Sequence, residues 1–424
     1  MRRYGLIIVL VLMGVVPALC AGTTPIRVSS SYMVGTMMRG SLADDWLGKR
    51  PPMGAEVAVE FLPTGKWGAL QAWNNASVGI AVDYINLTNN SALGSAIAPY
   101  FFMKIPIVRR PHFVLGVRPG VGLSFVTKTY YNTVAPELSG QPGTIKYPIA
   151  NGAIGSYTNA YFAEALYMEF PIRAGWSIFA SYGWYHISNG SIKQPNSGYN
   201  MFNGMIGAVY QPKEETYTAP ATRVPKGLYE GKRWAVELSV SGGVRQAYLA
   251  DKKYFGAGSI SLGAYWRPLS IFRLGGGVDV FYDGYYRSVC DEFASANTSA
   301  PITYYAKTYL RESALKNCWR VGVSVQPEFV VGNLTVGFHV GVYLYDNVKN
   351  LEPYQTVSNN GGKSLKRSVF YSYNIADAGV KQDGWLYTRI MLKYRCTKHL
   401  FVQVGMKAHV TKVEFIDAGV GVEI

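Results

Sequence analysis

Residues 333–345 read Asn333-Leu334-Thr335-Val336-Gly337-Phe338-His339-Val340-Gly341-Val342-Tyr343-Leu344-Tyr345, and this stretch indicates the fold of the chain. Apolar side chains occupy every second position from Leu334 to Leu344, while Thr, Gly, His and Tyr fill the positions between them. Successive side chains of a β-strand point to opposite faces of the sheet. The alternation therefore predicts a strand with one face against lipid or an apolar core.

Segments of this kind follow one another along nearly the whole chain; a second clear example is Trp234 to Val240. We recognise about sixteen of them, each close to the ~9–11 residues with which a tilted strand crosses a bilayer. Short turns alternate with longer polar loops, at residues 130–155, 285–317 and 346–383. Outer-membrane barrels show the same asymmetry. The sequence thus predicts an all-β protein, an outer-membrane antiparallel β-barrel.

Composition agrees with a barrel, since 32 Tyr, 18 Phe, 9 Trp and 46 Gly accompany only 16% charged residues. Tyr and Trp are suited to membrane interfaces, and Gly to turns and crowded barrel walls. The formal net charge of +15 is spread over the chain. A basic surface of this kind favours an anionic partner such as phosphorylated lipid. No recognisable nucleic-acid-binding module is present, so nucleic acid is not an expected partner.

The N-terminal residues 1–21 have the features of an export signal. Arg2 and Arg3 precede an apolar run from Leu6 to Val16, and small residues follow, with cleavage expected near Ala21. No later segment reaches the roughly 18 uninterrupted apolar residues of a membrane-spanning helix. We therefore expect export to the outer membrane of a Gram-negative bacterium.

The predicted strands divide into two halves of equal size. Residues 22–211 form the first, a polar linker at 212–232 follows, and residues 233–424 form the second. Two short matches between the halves indicate a duplication, with chance similarity among barrel strands as the alternative: Val82-Asp83-Tyr84 with Val278-Asp279-Val280, and His186-Ile187-Ser188 with His409-Val410-Thr411. Each half is interpreted as an eight-stranded barrel; the alternative is one sixteen-stranded barrel, wide enough for an aqueous lumen, with the linker as a long turn.

The cysteines allow one disulfide. Cys290 and Cys318 flank a long polar segment and could close it in an oxidising compartment. No spacing typical of a zinc site occurs.

The segment from His186 to Asn200 contains the strongest candidates for catalytic residues in the chain. His186 and Ser188 lie two positions apart, which places a base and a nucleophile on one strand face. Asn189 and Asn196 are candidate amide donors to an oxyanion, and Asn200 is a candidate acceptor to orient the imidazole. The alternative is a loop of turn formers with no chemical role.

Strand parity places this cluster on the outside of the barrel. His186 and Ser188 share parity with Ile178 and Tyr182, in the more apolar row of the strand. The interior of an eight-stranded barrel is filled by side chains, so a large substrate must be met on the outer wall. This favours an enzyme that acts on a lipid. In the second half His409 shares parity with Gln403 and Lys407, which predicts an inward, structural histidine.

The motifs His186-x-Ser188-Asn189-Gly190 and Pro195-Asn196-x-Gly198 resemble those of the PagL-type lipid A 3-O-deacylases. The two-part chain is also similar to the Bacteroidetes acyloxyacyl hydrolase branch, through residues 153–160 and 407–409. The resemblance implies a serine esterase that removes the 3-O-linked acyl chain of lipid A in lipopolysaccharide. Ser188 would be its nucleophile, His186 its base, and Asn196 with Asn189 its oxyanion donors, with no metal or other cofactor.

One position departs from the family pattern. The family's orienting acid is a Glu fourteen residues after the histidine, and Asn200 occupies that position in this sequence. An amide oxygen can hold the imidazole tautomer but cannot offset the imidazolium charge. Glu164, on the preceding strand, is the alternative acid; it could instead be an inward barrel charge.

Two other functions remain open from the sequence. The chain could be a non-enzymatic outer-membrane porin or binding barrel, with residues 186–189 as a relic of an active site. It could also be an outer-membrane phospholipase, because a serine–histidine pair does not choose between glycerolipid and glucosamine esters. The oligomeric state, the acyl-chain preference and the regulation of activity are not predicted.

Overall fold

The computed structural model describes residues 26–38, 50–62, 68–133, 151, 153–173, 175–196, 198–211, 233–246, 254–287, 302–304, 314–346, 355–358, 364–366, 386–409 and 412–424. The predicted export signal and the predicted linker at 212–232 lie outside these residues. So does Cys290; Cys318 is buried immediately before a barrel strand, and the disulfide between them stays a prediction.

The first barrel is closed by eight antiparallel strands. They are β1 Ile26–Met37, β2 Met53–Phe61, β3 Ser77–Asn86, β4 Ser95–Arg110, β5 Phe113–Val126, β6 Thr158–Arg173, β7 Trp176–Ser188 and β8 Tyr199–Tyr210. Each strand pairs with its neighbour in sequence, and β1 pairs with β8, so that Met33 lies opposite Met205. Closure leaves no unpaired edge, as a barrel in lipid requires.

The second barrel is also closed by eight strands. They are β9 Trp234–Gln246, β10 Tyr254–Leu269, β11 Phe272–Asp283, β13 Trp319–Val331, β14 Leu334–Asp346, β17 Leu386–Arg395, β18 Leu400–His409 and β19 Lys412–Glu423. Three short strands, β12 Ile302–Tyr304, β15 Gln355–Ser358 and β16 Ser364–Lys366, form a separate sheet.

The alternative of one sixteen-stranded barrel is wrong. β8 bonds to β1, and β9 bonds to β19, with Val240 opposite Val420. Neither β8 nor β9 therefore has an open edge for the other. Among the described residues there are also short helices at Gly68–Gln71 (α1), Tyr130–Thr133 (α2) and Ala314–Asn317 (α3). None of the helices in the described ranges is long and apolar enough to span a membrane.

The walls of both barrels alternate as the sequence predicts. On β14, Val336 and Phe338 are exposed on the outside, and Thr335 and His339 are buried inside. Apolar side chains thus cover the outer wall and polar ones point inward, the pattern of a barrel whose outside is in lipid.

Charged and aromatic side chains fill the interior of the first barrel. Arg118 Nη2 lies 3.0 Å from Glu56 Oε1, and Lys104 Nζ lies 2.8 Å from Glu60 Oε2. Buried charges are tolerated only when they are paired and hydrogen-bonded, as these are. Tyr161 and other aromatic rings occupy the remaining space. The interior is a packed core, as expected for a barrel of this size.

An equivalent hydrogen bond lies inside each of the two barrels, and this supports a duplication. In the first, Tyr161 on the sixth strand donates its hydroxyl to Asp83 on the third, at 2.5 Å. In the second, Tyr387 on the sixth strand donates to Asp279 on the third, at 2.6 Å. The matched Asp residues therefore have the same structural partner in both barrels.

Candidate active site

The candidate site lies where β7 ends and β8 begins. The strands pair so that His186 lies opposite Asn200, and the chain between them turns through Gly190 (φ 61°), Ser191 (φ 65°) and Gly198 (φ 73°). Positive φ favours Gly. At Gly198 a Cβ atom would also lie 2.9 Å from His186 Cε1 and 3.3 Å from Ser188 Cβ. This glycine lets the returning backbone pass directly against the imidazole.

Ser188, His186 and Asn200 form a continuous hydrogen-bonded chain. His186 Nε2 lies 2.8 Å from Ser188 Oγ, and His186 Nδ1 lies 2.8 Å from Asn200 Oδ1. Because an amide oxygen only accepts, Nδ1 carries the proton and donates it to Asn200. Nε2 is then the acceptor for the Ser188 hydroxyl. This tautomer is the one that a serine nucleophile requires of its base.

Aromatic neighbours fix the plane of the histidine ring. The rings of Trp184 and His186 stack with their centroids 5.2 Å apart and an interplanar angle of 16°. Phe162 lies opposite His186 on β6, and the centroids of these two rings are 6.2 Å apart. Packing and one hydrogen bond thus hold the imidazole toward Ser188.

The trio faces outward, as its parity predicts. On the same face of β7 and β8, Tyr182 and Ile206 are exposed, whereas Tyr185 and Met201 point into the interior and are buried. The site is therefore the end of an apolar stripe on the lipid-facing wall. A substrate whose acyl chains lie along that stripe can bring an ester to Ser188.

The amide oxygen of Asn196 is held within the loop. Its Oδ1 accepts the backbone N–H of Asn189 at 2.9 Å, which fixes the orientation of the amide. Within the described part of the chain, Nδ2 of Asn196 has no hydrogen-bond partner. It is thus available to an oxyanion.

Asn189 has a different set of contacts. Its Nδ2 donates to Ser156 Oγ at 2.7 Å and to Lys193 O at 2.8 Å, and its Oδ1 accepts Lys193 N–H at 3.2 Å. Both amide protons are committed, so its side chain shapes the loop and does not point a spare donor at the substrate.

Glu164 does not replace the orienting residue. It lies opposite Trp184, one pair along from Phe162, and is exposed on the outer wall. The expectation of an inward barrel charge is therefore wrong, because its parity on β6 points it away from the interior. His186 Nδ1 is already bonded to Asn200, and the carboxyl of Glu164 makes no hydrogen bond to His186.

Two contributors were not recognised from the sequence alone. Ser156 Oγ accepts from Asn189 and Tyr131 donates its hydroxyl to Gln194 O at 3.0 Å, so residues from the β5–β6 connection support the loop. Ser156 lies in the family-like stretch 153–160, which was the available signal. Nothing local distinguished Tyr131.

The equivalent end of the second barrel is simpler. His409 pairs with Lys412, and residues 410 and 411, the second of which is Thr411, lie outside the described residues. Gln403 and Lys407 are buried on the inner face, as predicted. Across the described ranges, no group of three or more His, Cys, Asp or Glu side chains is arranged to hold a metal.

Fold and site together define a class: an outer-membrane β-barrel with a serine–histidine pair on its lipid-facing wall. A family model described as lipid A 3-O-deacylase (PagL) matches residues 53–208. A second, described as acyloxyacyl hydrolase, C-terminal domain, matches residues 234–359 and 364–424. The chain belongs to the lipid A 3-O-deacylase (PagL) family. It is an outer-membrane lipid A deacylase, a hydrolase of ester bonds.

Two solved structures are similar to the chain. The outer membrane enzyme PagL is 14% identical, with 42% of this chain and 97% of that chain covered, at a TM-score of 0.25. A Rhodopseudomonas blastica porin is 10% identical, with 95% of this chain and 100% of that chain covered, at a TM-score of 0.16. No curated protein matches the chain.

Proposed function

We propose that the first barrel hydrolyses the 3-O-linked acyl ester of lipid A, with Ser188 as nucleophile and His186 as general base. The observation that carries the proposal is the 2.8 Å contact between Ser188 Oγ and His186 Nε2 on the lipid-facing wall. A lipid in the outer leaflet presents its ester to that wall without leaving the membrane.

In the first step His186 Nε2 takes the hydroxyl proton of Ser188 as Oγ bonds to the ester carbonyl carbon. The imidazolium is oriented through Nδ1 by Asn200 Oδ1, at 2.8 Å. The carbonyl oxygen becomes an oxyanion, and Asn196 Nδ2 donates to it. Such donors are worth most in a site from which water is excluded, and Ser188 is only 2% exposed.

In the second step the bond from the carbonyl carbon to the sugar oxygen breaks, and His186 returns its proton to that oxygen. The acyl group stays on Ser188. A water molecule then attacks the acyl carbonyl carbon while His186 accepts a proton from it. The bond from that carbon to Ser188 Oγ breaks, His186 returns the proton to Oγ, and a 3-hydroxy fatty acid leaves. Asn200 cannot offset the imidazolium charge, so acylation and deacylation are both slower than with a carboxylate.

The filled interiors weigh against the porin alternative. Arg118 and Tyr161 lie across the first barrel and Arg389 and Tyr387 across the second, all fully buried. Eight-stranded barrels have no room for a water-filled channel beside such side chains. The phospholipase alternative is left to experiment.

Lipid A mass spectra from cells that express the wild type or Ser188→Ala test the proposal. We expect the wild type to remove one 3-hydroxyacyl chain and Ser188→Ala to remove none. Ser177→Ala is the matched control, because Ser177 lies on the same strand but is buried on the inner face. Deacylation by Ser188→Ala would disprove the nucleophile assignment. Intact lipid A with cleaved glycerophospholipid would instead identify a phospholipase.

A further inference from the structure

The second barrel is hydrogen-bonded to the loop that follows Ser188. Gln194 N–H donates to Gln246 Oε1 at 3.0 Å, and Gln246 N–H donates to Ser191 O at 3.0 Å. Ser191 Oγ donates to Val413 O at 2.8 Å. Three bonds therefore tie residues 191–194 to the ends of β9 and β19, the strand pair at which the second barrel closes.

Close packing accompanies these bonds. Gly190 lies so near Ile416 on β19 that a Cβ atom would be 2.3 Å from Ile416 Cδ1. Ser191, Gln194 and Gln246 are all at least nine-tenths buried. A backbone N–H or carbonyl that loses its partner in such a place pays a desolvation cost. The loop is thus held firmly against the second barrel.

Hydrogen bonds within the loop connect the residues held by the second barrel to Asn189 and Asn196 beside Ser188. Asn189 directly follows Ser188. Its Nδ2 donates to the backbone carbonyl of Lys193, and its Oδ1 accepts the backbone N–H of Lys193. Lys193 is the neighbour of Gln194, which Gln246 holds. The backbone N–H of Asn189 in turn fixes Asn196 Oδ1 at 2.9 Å. The position of the candidate oxyanion donor therefore depends on the residues that the second barrel anchors.

We propose that the second barrel is a positioning element of the active site in the first, and that Gln246 is its principal positioning residue. This inference rests on the proposed function of Ser188 and Asn196. By it the C-terminal barrel contributes no reacting group. It holds the loop from Asn189 to Asn196 in the geometry that stabilises the oxyanion, a geometry on which catalysis depends steeply.

A second contact between the barrels offers a matched control. At the opposite rim, Trp73 Nε1 donates to Val330 O at 3.2 Å, and the Trp73 ring lies 5.8 Å from that of Phe329. This contact joins the barrels but does not touch the loop. Trp73→Phe removes the hydrogen bond and keeps an aromatic ring.

The experiment measures kcat and KM for fatty acid release from lipid A vesicles by the full-length protein, with hydrogen–deuterium exchange of residues 189–196. For Gln246→Ala we expect kcat to fall about tenfold, with KM little changed and faster exchange in the loop. Gln246→Glu, which keeps an acceptor for Gln194 N–H, should recover most of kcat. Trp73→Phe should leave kcat and loop exchange near the wild-type values. If Gln246→Ala does not fold, Ile416→Ala replaces it, with the same expected result.

Wild-type kcat and exchange in Gln246→Ala would overturn the inference. An equal fall of kcat in Trp73→Phe would also overturn it, because the role would then be general contact between barrels. A wild type that releases no fatty acid would refute the proposed function instead, and loop exchange would still decide whether Gln246 positions the loop.

Discussion

The hairpin β7–β8 of the first barrel and the hairpin β18–β19 of the second occupy the same place in two barrels of the same strand order. In the first, residues 189–198 separate the strands, and His186, Ser188 and Asn200 face outward. In the second, two residues separate the strands, and the polar side chain of Lys407 pairs inside with Glu414.

This difference separates the shared scaffold from the residues to which we assign the proposed chemistry. The closed barrel and the interior Asp–Tyr contact are common to both units and so belong to the scaffold. The long loop and the outward polar trio belong to one unit alone among the described residues. Function depends on the site that a fold carries rather than on the fold.

The largest effect on activity is expected at Asn196, which belongs to the long loop of the first barrel. Asn196→Ala removes the proposed oxyanion donor and should lower kcat by about 10²–10³. Asn196→Asp keeps the acceptor for Asn189 N–H but replaces the donor with a negative charge, so its loss should be at least as large. The measurement is fatty acid release from lipid A. A normal rate in Asn196→Asp with a low rate in Asn196→Ala would assign Asn196 to loop structure instead.

A smaller effect is expected at Asn200, which has the place of the family's acid. Asn200→Leu removes the acceptor for His186 Nδ1 and should lower kcat about 10²-fold, since general base catalysis requires the correct tautomer. Asn200→Asp keeps the shape and places a carboxylate opposite the imidazolium, so kcat should rise. Both variants are compared by single-turnover acylation of Ser188.

Glu164→Gln is the matched control for Asn200. Glu164 lies on the same outer wall but does not bond to His186, so its rate should stay near that of the wild type. If Glu164→Gln lost activity while Asn200→Leu kept it, the carboxylate would be the orienting group.

The period of two in the sequence was sufficient to predict most of the architecture. It separated the face of Val336 and Phe338, which is exposed in the structure, from that of His339, which is buried. It also predicted that His186 and Ser188 share a face of β7 with the exposed Tyr182. Both follow from the alternation of side chains along a strand, which depends only on local sequence. The place of each barrel's closure did not follow, because strand alternation is identical in a barrel of eight strands and one of sixteen.

The supporting contacts of the site could not be predicted for a related reason. Ser156 and Asn189 are separated by 33 positions, Gln194 and Gln246 by 52, and Ser191 and Val413 by 222. Each joins loops or barrels whose approach is set by tertiary structure. No periodic pattern records such a contact, so a role of the second barrel at the site emerged only from the structure.

The smallest effect concerns the shared scaffold and compares Tyr161→Phe with Tyr387→Phe. Tyr161→Phe removes the hydrogen bond to Asp83 and should lower the free energy of unfolding by about 2 kcal/mol, because the buried carboxyl group of Asp83 loses that partner. Asp279 also accepts from Ser261 at 2.5 Å and Ser324 at 2.7 Å. Tyr387→Phe should therefore cost only about 1 kcal/mol. Urea unfolding in lipid vesicles measures both, and a larger cost for Tyr387→Phe would show that the two barrels distribute this interaction differently from their hydrogen bonds.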